Sequence, residues 1–165
     1  MDRRQDGSSR IECIGSIEHG TAEGGDIVYA DNTVFVGLSS RTNRDGAAEI
    51  ARMLKPFGYD IRMVKVPERY LHLGGAVSYL GGGLLLCTAD VYDVGKGFDT
   101  LVVDSADFVS GNVIKAKSTV IAERENRSAI KKLQEAGLKV IALDLSEFIK
   151  GMGGPSCLVL PVLDY

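Results

Sequence analysis

The sequence predicts an α/β fold built from a repeated ββαβ unit. Three observations carry the prediction: an order of hairpin, helix and strand that returns three times, 20 glycines with no tryptophan among 165 residues, and an apolar content of 45%. That many glycines supply tight turns around a core of small aliphatic side chains, unlike the long stripes of a helical bundle. The length suits one ordinary domain with its own core.

In the first unit, Asp26-Ile-Val-Tyr-Ala and Thr33-Val-Phe-Val-Gly-Leu are β-branched and aromatic runs on either side of the turn-forming pair Asp31-Asn32, which predicts a hairpin. From Thr42 to Phe57, Ala47, Ile50, Ala51 and Leu54 recur at helical spacing; Asn43 is placed to cap the start, and Pro56 and Gly58 to end it. Ile61 to Val66 reads as a strand stopped by Pro67.

The second unit pairs Ala76–Leu80 with Leu84–Cys87 across Gly81-Gly-Gly, continues through a short helical stretch near Ala89–Val94, and closes on a strand at Thr100–Val103. The third pairs Phe108–Ala116 with Ser118–Ala122. Its helix, Glu125–Ala136, puts Ala129, Ile130 and Leu133 on one face and ends at Gly137, before a strand at Lys139–Leu143. Ser146 is predicted to cap a last helix through Lys150, and Gly151-Met-Gly-Gly-Pro to deliver the chain into a final strand, Cys157–Val162. Units of roughly 40 to 50 residues that each bury one face against the next make a repeat architecture. An α+β sandwich whose units resemble one another by accident is the alternative.

Composition excludes several functions. A net charge of −3 without a long basic run argues against gripping nucleic acid or anionic lipid by electrostatics. The first ten residues contain no apolar stretch of the secretory kind, and the longest apolar runs, Leu84–Cys87 and Leu158–Leu163, are too short to span a bilayer, so a cytoplasmic location is expected. Cys13, Cys87 and Cys157 are odd in number and widely spaced, the pattern of free thiols rather than of disulfides or structural zinc. Dinucleotide, P-loop and nucleophile-elbow glycine patterns are missing from the sequence, and no His/Asp/Glu cluster has metal spacing.

Few residues are left to do chemistry. Of two histidines, His19 lies in a polar, glycine-flanked stretch and reads as a surface residue, whereas His72 stands at the entry to the second hairpin, where taken alone it reads as a satisfied structural histidine before a catalyst. Cys157 follows Gly151-Met-Gly-Gly-Pro-Ser, where glycines let the backbone approach a ligand and a thiol can be reached from outside; a buried, inert thiol is the other reading. Cys87 ends an apolar run with no polar company. Glu23-Gly-Gly-Asp26 sets two carboxylates three residues apart across glycines at the head of the first hairpin, which by themselves read as a turn with acidic solvation. Arg41 sits next to a helix start, where a cation is disfavoured and a compensating anion is expected.

Together and in order, Glu23-Gly-Gly-Asp26, Leu38-Ser-Ser-Arg-Thr-Asn43, His72-Leu73, Gly111-Asn112 and Gly153-Gly-Pro-Ser-Cys157-Leu-Val-Leu-Pro resemble the guanidino-group-modifying enzymes: arginine deiminases, dimethylarginine dimethylaminohydrolases and amidinotransferases. The resemblance implies their α/β propeller, the pentein fold, of which about three of the usual five ββαβ units are present. It implies a polar N-terminal segment, residues 1–22, that is a tail or the remnant of an earlier repeat, and a single pentein-like domain over residues 23–165, a partial propeller.

It also implies a function: hydrolysis of a C–N bond in the guanidino group of arginine or an N-methylated arginine, giving citrulline. By resemblance Cys157 is the nucleophile, His72 the general acid and base, and Glu23, Asp26 and Arg41 bind substrate. Glu23 holds the guanidinium, Arg41 pairs with the α-carboxylate, and Asp26 supports the Glu23 turn and the histidine or the substrate. No cofactor or metal is implied. The family's deiminases and amidinotransferases commonly carry an aspartate two places after the histidine; Gly74 stands there in this sequence, which favours the dimethylarginine hydrolases. An open propeller leaves strand edges and core surface exposed, so the expected partners are a small guanidino substrate and a second copy of the chain or a complementing chain, with no nucleic acid and no membrane. A non-catalytic pentein-like binding module, or an inactive fragment awaiting a partner, is the alternative function.

Overall fold

The computed structural model describes residues 13–105 and 109–160. Nine strands form three separate three-stranded sheets: β1 (Ile27–Ala30), β2 (Thr33–Leu38) and β3 (Asp60–Lys65); β4 (Val77–Gly81), β5 (Leu84–Thr88) and β6 (Asp99–Val103); β7 (Ile114–Ala116), β8 (Thr119–Glu123) and β9 (Lys139–Leu143). In each sheet the first two strands form an antiparallel hairpin and the third adds parallel to the second. This is the repeated unit read from the sequence, and three small sheets of one topology are not a two-layer sandwich.

Two helices make the parallel crossovers of the first and third units: α1 (Arg44–Leu54), capped by the Asn43 side chain, and α2 (Arg127–Glu135), capped by Asn126. Ala47 and Ile50 of α1 bury against Val34 and Val36 of β2. Ala129 and Leu133 of α2 join a core with Leu80, Leu86, Val103 and Val120 that seals the second unit to the third. A further core, containing Phe35, Tyr70, Leu73, Val77 and Leu85, seals the first to the second. Fully burying one such leucine is worth about 1.5–3 kcal/mol, so these seams set the relative placement of the units.

Four local expectations change. The stretch at Ala89–Val94 forms only a 3-10 turn, Tyr92–Gly95, because Gly95 and Gly97 disfavour further helix and the segment is too short to close several helical hydrogen bonds. β7 is confined to Ile114–Ala116: the backbone before it bonds to the second unit, with Gly111 N–H on the Gly75 carbonyl (3.0 Å) and Val113 N–H on the Ser78 hydroxyl (3.1 Å). Phe108, where that strand was expected to begin, lies outside the described residues. The last helix, α3 (Ser146–Lys150), takes its start from Asp144, whose carboxylate accepts the Ser146 N–H at 3.1 Å, and not from a Ser146 cap. In place of a strand from Cys157, Pro155–Leu158 forms a 3-10 turn; Pro155 suits the first turn of a helix, and the Cys157 N–H bonds to the Gly154 carbonyl at 3.1 Å. The remainder of that expected strand, from residue 161, lies outside the described residues.

The topology has a consequence for chemistry. β4 lies against both β1 and β7, so the first strands of the units run side by side, and the segments that enter them gather at one end of the molecule. Those segments are 23–26, 72–75 and 110–112; the turn at 154–157 follows in the same sense, packed on Asn112. In the third unit and the segments that follow it, Ile141, Leu143, Phe148 and Leu160 are exposed. Among the described residues, no helix is long and apolar enough to cross a membrane.

Candidate active site

Asp26 is the centre on which the first two entry segments close. Its carboxylate is fully buried, and one oxygen accepts the Ser39 and Thr42 hydroxyls, each at 2.7 Å, while the other accepts the Leu73 N–H at 2.9 Å. A buried carboxylate is tolerated only with such partners. These bonds tie the end of β2 and the head of the second unit to the turn after Glu23. Thr42 also accepts the Glu23 N–H at 3.0 Å, and Ser39 accepts the N–H groups of Arg41 and Thr42.

His72 stands between two carboxylates. Its Nδ1 lies 3.4 Å from Asp26 and its Nε2 3.2 Å from Glu23, and its side chain is largely enclosed. Only the protonated ring donates from both nitrogens, so the protonated form is the one that serves both oxygens. The ring packs on Gly25, where a Cβ would come within 2.6 Å of two of its carbons. Glycine at that position is therefore a condition for the imidazole to reach Glu23.

Glu23 is about half exposed and faces Arg41 at 3.6 Å as well as His72. It is the anion that the position of Arg41 calls for. Glu23, Ser40 and Arg41 line, with Ile17 and Thr21, a cavity of about 450 Å³. A larger cavity of about 920 Å³, lined by Phe35, Arg62, Pro67, Val91 and Val94 among others, includes none of these groups and marks the seam where the second unit has a 3-10 turn in place of a helix.

Cys157 is exposed on the turn after Gly154 and is neither buried nor disulfide-bonded. Its sulfur lies 3.9 Å from the Asn112 amide nitrogen. The turn also borders the histidine segment: a Cβ on Gly74, two residues after His72, would stand 3.9 Å from the Ser156 hydroxyl and 3.1 Å from the Gly25 carbonyl oxygen. Cys87 is different, since burial in the second unit pushes its thiol up to about 12. Cys13 is exposed and remote from the site in hydrogen bonding, its thiol contacting the Gly15 carbonyl.

The structure thus brings Glu23, Asp26, His72 and Arg41 into one contact group, with Cys157 on the adjoining turn. Asp26, expected among the substrate-binding residues, has no exposed surface, and its contacts are to protein groups. Ser39, Thr42 and Ser156 are not among the residues that the sequence marks for chemistry. The first two stand inside the quoted motif around Arg41, and hydroxyls flanking a charged residue at a strand end were the available signal.

The arginine deiminase family model matches residues 100–163. The dimethylarginine dimethylaminohydrolase of Pseudomonas aeruginosa is 29% identical over 143 residues, 86% of this chain and 56% of that protein; an uncharacterised protein of Aeropyrum pernix is 30% identical over 87% of this chain and 54% of its own length. In structure, the P. aeruginosa enzyme, as a cysteine-to-serine mutant complexed with citrulline, superposes with a TM-score of 0.77 over 86% of this chain and 56% of that one. The N-terminal domain of the arginine dihydrolase ArgZ, bound to product, superposes with a TM-score of 0.71 at 26% identity, over 82% of this chain and 54% of that one.

By these likenesses the chain is similar, in sequence and in fold, to the guanidino-group-modifying, or pentein, superfamily. Within it the chain is similar to the dimethylarginine dimethylaminohydrolases, and it spans about half the length of the curated relatives it matches.

Proposed function

We propose that this chain carries the site of a hydrolase that cleaves a C–N bond in the guanidino group of arginine or an N-methylated arginine, releasing citrulline. The observation that carries the proposal is the His72 imidazole held between Glu23 and Asp26 beside the turn that bears Cys157. A guanidinium is planar, cationic and a poor electrophile, and Glu23 offers the half-exposed carboxylate that such a cation needs.

In this reading the Cys157 thiolate attacks the central guanidinium carbon, and His72 donates its proton to the departing amine as that C–N bond breaks. A covalent thiouronium remains on sulfur. His72 then takes a proton from water, the resulting hydroxide attacks the same carbon, and the C–S bond breaks to release the urea product and the thiolate. Glu23 exchanges its contact with Arg41 for the substrate cation, which frees Arg41 for an α-carboxylate. Asp26 acts on the imidazole and the loops, because its carboxylate has no open face. Gly74, where deiminases commonly have an aspartate, supports a site with room for N-methyl groups.

The test is a citrulline assay of the purified chain on arginine and on its N-methylated forms, with Cys157→Ser as the control. Citrulline from wild type and none from the variant is expected. The coverage of only about half of its relatives favours a second reading, a binding module or a site completed by another chain. Failure of a chloroacetamidine-type reagent to distinguish Cys157 from Cys13 would select that reading. We also infer a homo-oligomer from the exposed Ile141, Leu143, Phe148 and Leu160, an inference that a stable monomer in sedimentation at micromolar concentration would remove.

A further inference from the structure

We propose that Asn112 is a positioning residue for the Cys157 sulfur, fixing the turn that carries it and directing an N–H at the sulfur itself. The proposal rests on the reading of Cys157 as a nucleophile and extends it to a residue that touches neither the imidazole nor the carboxylates.

Asn112 is one of the most buried polar side chains of the molecule, at 2% exposure, and it reaches across 44 residues to the turn. Its Oδ1 accepts the Ser156 N–H at 2.9 Å, and its Nδ2 lies 3.9 Å from Cys157 Sγ. The first contact decides the second. A backbone N–H can be met only by the amide oxygen, so the oxygen faces Ser156 and the NH₂ is left facing sulfur. Rotating the amide by half a turn would set two donors against each other in a buried space.

Gly154 closes the arrangement from the other side. A Cβ there would stand 2.6 Å from Asn112 Cγ, 2.8 Å from Nδ2 and 2.9 Å from Oδ1, so the backbone of the turn lies directly on the carboxamide. The turn's own bonds are modest: Cys157 N–H to the Gly154 carbonyl at 3.1 Å and Val159 N–H to the Ser156 carbonyl at 3.5 Å. Asn112 in turn is held by its own segment, where its N–H bonds to the Val109 carbonyl at 2.9 Å and Gly111 N–H bonds to Gly75. The amide therefore relays the position of the histidine segment to the turn that bears the thiol.

Chemically, an N–H donor aimed at sulfur fixes the place of the sulfur and narrows the directions in which it can attack. Aspartate is nearly the same shape and retains the acceptor for Ser156, but it removes the donor and sets an anion beside the sulfur. Asn112→Asp therefore separates sulfur positioning from loop holding.

The experiment is iodoacetamide alkylation of the full 165-residue chain, with peptide mass spectrometry giving separate rates for Cys157 and for the exposed Cys13. Wild type is compared with Asn112→Asp, Asn112→Ala and Gly154→Ala, and thermal unfolding is followed for each. Asn112→Asp is expected to slow Cys157 at least about tenfold, the worth of one hydrogen bond to a charged group. Cys13 should be unchanged. Gly154→Ala, which presses on the carboxamide, should slow Cys157 as well and gives the same reading should Asn112→Asp not fold. Fast Cys157 in wild type and equally fast Cys157 in folded Asn112→Asp or Gly154→Ala overturns the positioning role alone. Wild-type Cys157 no faster than Cys13 overturns the nucleophile assignment and the positioning role with it.

Discussion

Around His72 the chain uses buried charge, whereas around Cys157 it uses one neutral amide. Asp26 is fully buried, accepts two hydroxyls and a backbone N–H, and joins three stretches of chain from two units. Cys157 sits exposed on a four-residue 3-10 turn that is hydrogen-bonded across the fold to the Asn112 carboxamide. The imidazole half belongs to the seam between the first and second units, and its geometry is as firm as that core. The sulfur half is exposed, on a turn outside the packed cores. Perturbing the first half should cost folding as well as chemistry, and perturbing the second should cost chemistry alone.

The largest effect is expected from Cys157→Ser, which should lower citrulline formation by about 10³-fold or more in a steady-state assay, with an unchanged urea unfolding midpoint. A large loss of stability in that variant would break the comparison, because it would make the sulfur part of the core. Asp26→Ala comes next. Leaving the Leu73 N–H and two hydroxyls without their buried acceptor should lower the unfolding free energy by about 3–5 kcal/mol in urea titration, alongside the loss of activity. Asp26→Asn, which retains an acceptor for Leu73, should cost less.

Labelling sharpens the contrast between thiols. With its thiol pushed up to about 12 by burial, Cys87 should resist iodoacetamide at pH 8 until the chain unfolds. Mass spectrometry of native and urea-treated samples should show it modified only in the latter.

The smallest effect concerns Glu49, on α1, which secures residues 18–20 beside Glu23. Its carboxylate lies below the ordinary 4.5, chiefly because it accepts the Glu18 N–H, and also those of His19 and Gly20. A folded-state value below the unfolded one means that the stabilisation is complete above about pH 4.5 and is lost as pH falls through the lower, folded value. Glu49→Gln should flatten that acid limb in pH-dependent thermal unfolding; an unchanged limb would remove Glu49 as its source.

Much of the fold was readable along the chain because the signals are local. The Asp31-Asn32 and Gly81-Gly-Gly turns, the apolar period of α1 and its Asn43 cap each act within a few residues, and the strands and helices they delimit form where expected. The readings that failed involve bonds to distant partners. Val109–Val113 has the composition of a strand, yet its backbone bonds go to Gly75 and Ser78, more than thirty residues back. After Gly154, the run Cys-Leu-Val-Leu reads as a strand, but Pro155 sets a tight turn and the turn rests on Asn112.

By itself the sequence determined which chemical groups the protein has, how its units repeat and which family it resembles, since residue types, turn formers and apolar periods are properties of short stretches. Only the tertiary structure decided that Asp26 is enclosed and Glu23 open, that the imidazole lies between them, and that Asn112 faces sulfur. Those relations join residues more than forty positions apart and depend on which entry loops the packing of neighbouring sheets brings together, a result of burial across the whole chain that no short segment records.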